Sequence, residues 1–399
     1  MTHTCPALPR LEQLPFKGDR TSAWLEIQQA GDVAVSDAGT YFLIGADAVE
    51  SAAKNPAVFS SSDAFSLLAS PFPLVPIAVD PPEHTRFRHM LDKFFSPRSV
   101  AAHEVELRAQ ANELIDRIVV GGPACDAVSS LTVPFPSQVF LTLFGLPLAD
   151  RDRLIEWKNA IVKLADVQST EPSPDVVQTA TELLGYLTEH IAKPRDVHAT
   201  DLLSQLLADR GHDGMTDAEI LGLCFIFILA GLDTVTAALG FALHALAQDA
   251  ALRHSVRTDD AAAAVFIEEI LRVECPVPSV PRRTTTDIEV GGVTIPAGSA
   301  CWLMMGAANR DPRRFESPNS VGDQRNNHFA FGRGPHRCLG SHLARLELRV
   351  VVQEWLRRVP EFSLTAPPEV LWPSATLTFT ALDLNISASL PSAPGRTVA

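Results

Sequence analysis

The sequence predicts a mainly α fold with small β-sheet regions. Three observations carry that prediction. Between residues 83 and 273, successive segments repeat apolar residues every three and four positions, the period of one helix face. From 221 to 247 the only charge is Asp233, so a long helix there is apolar all round. After Pro276 the pattern changes to short β-type runs separated by glycine turns.

In chain order, 33–36 and 41–44 flank Asp37-Ala38-Gly39 and read as a β-hairpin, followed by a short helix over 46–54. Residues 59–82 form a loop rich in Phe, Leu, Val and Ile and cut by Pro71, Pro73 and Pro76. An apolar loop of that length is a candidate lid or pocket wall. Helices are predicted over 83–91, 101–119, 136–144 and 149–167. Past the turn at 170–174, two more cover 176–191 and 200–209. Thr216-Asp217-Ala218-Glu219 is a capping box that opens the long helix. Helices over 250–256 and 260–273 end at Pro276. Strands follow over 283–290, 291–296 and 299–304, then a helix over 339–356, and 362–364 pairs with 377–386. There is no repeat and no linker. The expectation is one large domain over 1–399, with 1–30 as an N-terminal extension.

Composition narrows the function. A net charge of −14 argues against nucleic acid and anionic membranes as partners. Six widely spaced cysteines without a Cys-x-x-Cys pair read as reduced thiols of a cytoplasmic protein. The first 20 residues hold no apolar signal-type run. The 221–247 helix has the length of a membrane span. Asp233 at its middle would be costly in lipid, so it reads as the buried central helix of a large protein.

Four constellations bear chemistry. Phe331-Gly332-Arg333-Gly334-Pro335-His336-Arg337-Cys338-Leu339-Gly340 brings a cysteine to a helix start, where backbone N–H groups, the helix dipole and arginines favour thiolate. Such a thiolate is a strong iron ligand; the plainer reading is a buried cysteine in a loop. Ala230-Gly231-Leu232-Asp233-Thr234 sets an acid and an alcohol inside an apolar helix, as a groove with a proton path or as a solvated polar defect. Glu269 and Arg272 share a helix face and can pair, as many surface pairs do. His84 and Arg88 also share a face.

The Phe-x-x-Gly-x-x-x-Cys-x-Gly spacing, Ala-Gly-x-Asp-Thr, Glu-x-x-Arg and His-x-x-x-Arg occur here in the order and spacing of the cytochromes P450, which this chain resembles from about Gly31 onward. The resemblance implies the cytochrome P450 fold and a haem-dependent monooxygenase. One oxygen atom of O2 would enter a hydrophobic small molecule and the other would become water. It implies haem b with Cys338 as axial ligand, in the loop of Phe331, Gly334 and Gly340, and an oxygen groove at Ala230 and Gly231. Thr234 would hydrogen-bond dioxygen and Asp233 would relay protons. His84, Arg88, Arg282 and His336 would meet the haem propionates, with Arg283 able to exchange roles with Arg282. Glu269 and Arg272 would pin the underside of the cysteine loop. The family completes that anchor with an arginine, but here Ser320 stands at its place, and Arg325 is the candidate substitute. The pocket wall would draw on 65–77, 157–167, Phe227, Ala230, 277–280 and 375–376. Arg333, Arg337, Arg345 and Arg349 read either as a docking face for an acidic carrier or as solvated helix charges. The family's soluble bacterial members imply a ferredoxin-type donor with its reductase. Two rivals stand beside this reading, a peroxide-driven peroxygenase and a non-catalytic haem sensor; the Asp233–Thr234 pair argues against both.

Overall fold

The computed structural model describes residues 5–62, 64, 70, 72–164, 174–196, 198–210, 214–322 and 327–387. Helices dominate. The first is α1 (Arg20–Gln29), whose N-cap Asp19 accepts the Ser22 N–H. Strands β1 (Val33–Val35) and β2 (Tyr41–Leu43) form the expected hairpin and lead into α2 (Ala46–Ala53). Strand β3 (Phe59–Ser60) precedes α3 (Glu83–Asp92), α4 (Pro97–Ala101), α5 (Glu104–Gly121), β4 (Ala124–Asp126) and α6 (Pro134–Phe144). Next come α7 (Arg151–Leu164), α8 (Pro174–Ala192), α9 (Leu202–Ala208), the 32-residue α10 (Asp217–Gln248), α11 (Ala250–Thr258) and α12 (Asp260–Glu274). The last third holds β5 (Val280–Thr284), β6 (Ile288–Val290), β7 (Val293–Ile295), β8 (Ala300–Leu303), α13 (Met305–Ala308), α14 (Ser341–Arg358), β9 (Glu361–Leu364) and β10 (Asp383–Ser387).

The strands form a five-stranded sheet in the order β1-β2-β8-β5-β3, a three-stranded sheet β4-β10-β9 and the hairpin β6-β7. Parallel pairing of β2 with β8 ties the N-terminal hairpin to the segment after α12. Helix α10 is the axis of the molecule. Its capping box is complete: Thr216 Oγ1 accepts the Glu219 N–H at 3.2 Å and Glu219 returns a carboxylate to the Thr216 N–H at 2.6 Å. Leu223, Cys224, Ile228, Leu239, Leu243 and Leu246 are fully buried along its length, so its apolar surface faces protein, as the sequence predicts.

Several expectations need correction. The helix predicted over 101–119 begins at Glu104, and a short helix that was not expected, α4, precedes it, capped by Ser96 with Pro97 in its first turn. Strands β3 and β4 were not expected; at two and three residues they carry no period of their own and follow their partners. Only the end of 377–386 pairs as a strand. Its beginning is drawn elsewhere, since the Leu377 N–H donates to the Pro276 carbonyl at 2.9 Å. Residues 11–29 pack onto the rest of the fold. Phe16, Trp24 and Ile27 are buried in the same apolar cluster as α5, α10 and α14, and Arg20 makes a two-pronged pair with Glu274 at 2.7 and 2.8 Å.

Candidate active site

Cys338 lies two residues before Gly340, the N-cap of α14, and its N–H donates to the Phe331 carbonyl at 2.8 Å. The helix thus begins at Ser341 rather than Leu339. Gly334 has φ +68°, and a Cβ there would stand 2.1 Å from the Ala53 carbonyl oxygen, so only glycine lets the loop lie against the end of α2. Cys338 is exposed yet desolvated by the protein around it. Burial pushes the Cys338 thiol above its usual value, and the Gly340 N–H with the charges of Arg88, Arg337 and Arg345 does not overcome it. A bound metal cation is what would keep this sulfur ionised.

The loop is held from beneath. Glu269 and Arg272 are both fully buried, which removes the surface-pair reading, and join through two bonds of 2.8 and 2.9 Å. Arg272 also donates to the carbonyls of Asn309 (3.0 Å), Ser317 (3.2 Å), Pro318 (2.9 Å) and Ser320 (2.9 Å), while Glu269 accepts the Gly322 N–H at 2.9 Å. Asn309 then accepts the N–H of buried Phe329 at 2.5 Å, and the Phe329 carbonyl accepts the Gly332 N–H. Ser320 therefore serves the anchor through its backbone. Arg325 lies outside the described residues.

On α10, Ala230 and Gly231 are exposed although the helix around them is packed, and nothing lies within 4 Å of where a Gly231 Cβ would be. The Thr234 hydroxyl donates to the Ala230 carbonyl at 2.8 Å. Asp233 is not free. Lys158 of α7, itself 8% exposed, places Nζ 2.6 Å from the Asp233 carboxylate. Sequence reasoning missed Lys158, because nothing in a lysine on an amphipathic helix points to an acid 75 residues away. Leu339, beside the cysteine, and Phe227 of α10 pack against the same apolar cluster.

His84 of α3 is buried, and its ring centroid is 4.2 Å from that of His336. Arg282 of β5 is 7% exposed and, among the described residues, bonds only its neighbour's Pro281 carbonyl, at 2.6 Å; Arg283, one residue on, points outward to the Gly298 carbonyl. Strand alternation thus separates the two arginines that the sequence left exchangeable. Burial pushes Arg282 down to about 10 and His336 down to about 3. His336 Nε2 has no hydrogen-bond partner among the described residues, and Asp80 is 4.0 Å from it. Asp80, also missed, accepts the Ser61 N–H and the Ser60 and Ser62 hydroxyls and fixes this corner. Arg88 donates to the Arg337 carbonyl at 2.7 Å and pairs with Asp92, tying α3 directly to the cysteine loop.

The family model described as Cytochrome P450 matches residues 174–379. A methyl-branched lipid omega-hydroxylase of Mycobacterium tuberculosis is 32% identical over 361 residues, 87% of this chain and 83% of that protein. The chain belongs to the cytochrome P450 family. A probable cytochrome P450 127A1 of Sinorhizobium fredii is 34% identical over 310 residues, 76% of this chain and 72% of that one. Among solved structures, CYP108D1 from Novosphingobium aromaticivorans superposes with a TM-score of 0.82 at 27% identity, covering 92% and 94% of the two chains. The mainly helical cytochrome P450 fold and the oxygen-incorporating oxidoreductase class follow for this chain, and with them haem iron binding.

The residues of this cytochrome P450 fit that group. A buried guanidinium with no carboxylate partner among the described residues, and a half-buried imidazole whose Nε2 has none there, suit two carboxylates, and a desolvated sulfur suits a metal cation. The basic face is smaller than its sequence implies. Glu268 takes Arg345 through bonds of 2.6 and 2.7 Å and Glu104 takes Arg349 at 2.8 Å, leaving Arg337 exposed and Arg333 bonded to the Asn327 carbonyl. Of the expected pocket wall, 65–69, 71 and 165–167 lie outside the described residues, while Phe72 meets Phe225 of α10 edge-on at 5.2 Å.

Proposed function

We propose that the protein is a cytoplasmic, single-domain monooxygenase that holds haem b through Cys338 and oxygenates a hydrophobic small molecule, drawing electrons from a ferredoxin-type carrier and its reductase. The observation that carries this is the Cys338 sulfur, desolvated in a loop pinned by Arg272 through Asn309. His84, Arg88, Arg282 and His336 would hold the propionates. When bound, the haem supplies dioxygen activation, with thiolate electron density favouring O–O cleavage.

The chain's own residues would handle protons and substrate. Thr234 gives up its bond to the Ala230 carbonyl and turns its hydroxyl to dioxygen in the groove beside Gly231. Asp233 supplies protons there, and its release from Lys158 sets when it can do so. Phe72, Phe225 and Phe227 offer an apolar surface that favours a hydrophobic substrate and keeps bulk water from the relay. Arg333 and Arg337 would remain for an acidic electron carrier, with steering that weakens as salt rises. The relatives' names favour a lipid or natural-product substrate, since one is a methyl-branched lipid hydroxylase.

Turnover of an apolar compound panel under isotope-labelled dioxygen, with a ferredoxin and its reductase, tests the reading. Product carrying one labelled oxygen is expected. Product formed only with added peroxide, and unlabelled by dioxygen, would favour the peroxygenase instead.

A further inference from the structure

We propose that Trp157 and Tyr186, with Asp150 as proton acceptor, form a redox relay that drains unused oxidising equivalents from the haem site to the protein surface. This rests on the haem-binding reading above. Trp157 of α7 is 1% exposed and belongs to the apolar cluster that Phe227 and Leu339 also pack against. The next residue, Lys158, reaches Asp233 in the groove. Tyr186 of α8 is half-buried, and its ring centroid lies 4.8 Å from that of Trp157. Its hydroxyl donates to the Asp150 carboxylate at 2.7 Å. His190 stacks on its other side at 4.1 Å and is itself only half-buried. The series therefore runs from the core outward. Among the described residues it is the one Trp–Tyr ring contact, and the chain has only two tyrosines.

Charges of both signs flank the indole: the Arg153 guanidinium lies 4.5 Å from the Trp157 ring centroid, and the Trp157 Nε1–H donates to the Glu182 carboxylate at 3.5 Å. Tyr186 has its base directly on the hydroxyl. Burial and the Asp150 charge push its phenol above the usual value, so its proton leaves only together with an electron. Hydrogen peroxide, supplied without substrate, would be the oxidant, taking two electrons and two protons to become two waters, so each peroxide calls on the relay twice. At each passage one electron leaves Tyr186 by way of Trp157 and the phenolic proton passes to Asp150, leaving a neutral phenoxyl radical and a protonated carboxyl. A thiol in solution returns the electron and gives up its proton to the water formed, Asp150 returns the phenolic proton, and the two thiyl radicals left by one peroxide pair as disulfide. Packing alone would need the two rings but neither the phenolic hydroxyl nor its carboxylate.

The test is electron paramagnetic resonance of haem-loaded protein frozen shortly after mixing with hydrogen peroxide and no organic substrate. A tyrosyl signal is expected, lost in Tyr186→Phe, which keeps the stacked ring. Weakening of the signal in Trp157→Phe and faster haem bleaching by peroxide in both variants are also expected. A signal that persists in Tyr186→Phe assigns the radical to Tyr41 and overturns the proposal, as does haem-loaded wild type without any tyrosyl signal. Protein that binds no haem at all sinks the function reading first, and the relay with it.

Discussion

At Asp233 one carboxylate has to serve as an ion-pair partner and, on the proposed reading, as a proton donor. The 2.6 Å pair with Lys158 occupies that carboxylate, so on this reading proton delivery waits on breaking the contact. Lys158→Met removes the gate, and the solvent isotope effect on turnover is expected to shrink; an unchanged isotope effect would take Asp233 off the route. Thr234→Ala leaves the helix intact but deletes the hydroxyl now bonded to Ala230. Electron consumption should then outrun product, with peroxide released, and unchanged coupling would remove Thr234 from the mechanism. Both residues were legible in the sequence because an acid and an alcohol inside an apolar helix are costly without a purpose. Lys158 and Asp80 were not, since each acquires its meaning from a partner that only the folded chain brings near.

Among the elements, α12 and the cysteine loop depend on one buried pair. Arg272 stitches together Glu269 and four backbone carbonyls, and its partner Asn309 carries the tension of that network to Phe329. Arg272→Met would leave the Glu269 carboxylate buried without this cation, at a cost on the order of 3–5 kcal/mol. A lower melting temperature and reduced haem content are the expected readings, with Asn309→Ala losing haem more than stability; full haem occupancy in both would show that the loop stands without this anchor. The Glu-x-x-Arg spacing located the pair in the sequence, but its burial could not be read there, because the same spacing decorates many exposed helices. Helix positions were largely legible for the same kind of reason: α10 carries both its capping box and an unbroken apolar surface. Strands of two or three residues were not, because pairing rather than sequence period makes them.

Across the whole molecule, the N-terminal segment closes the fold onto the site. Arg20 of α1 lies 4.8 Å from the Phe241 ring centroid and pairs with Glu274 at the end of α12, the helix that carries Arg272. That partner and others hold the Glu274 carboxyl below its ordinary value against the opposing effect of burial. A depressed folded-state value means stability that is present above about pH 4.5 and is lost as pH falls through the folded-state value. Arg20→Ala should lower stability by on the order of 3 kcal/mol at neutral pH, and the gap to wild type should narrow in acid. A gap that stays constant with pH would assign the effect to lost ring packing alone. The central claim remains the bond from Cys338 to iron, and the most direct measurement is the absorption spectrum of the reduced protein under carbon monoxide. The account predicts a Soret band displaced to long wavelength and abolished in Cys338→Ala; a globin-like band, or one that survives the substitution, would contradict it.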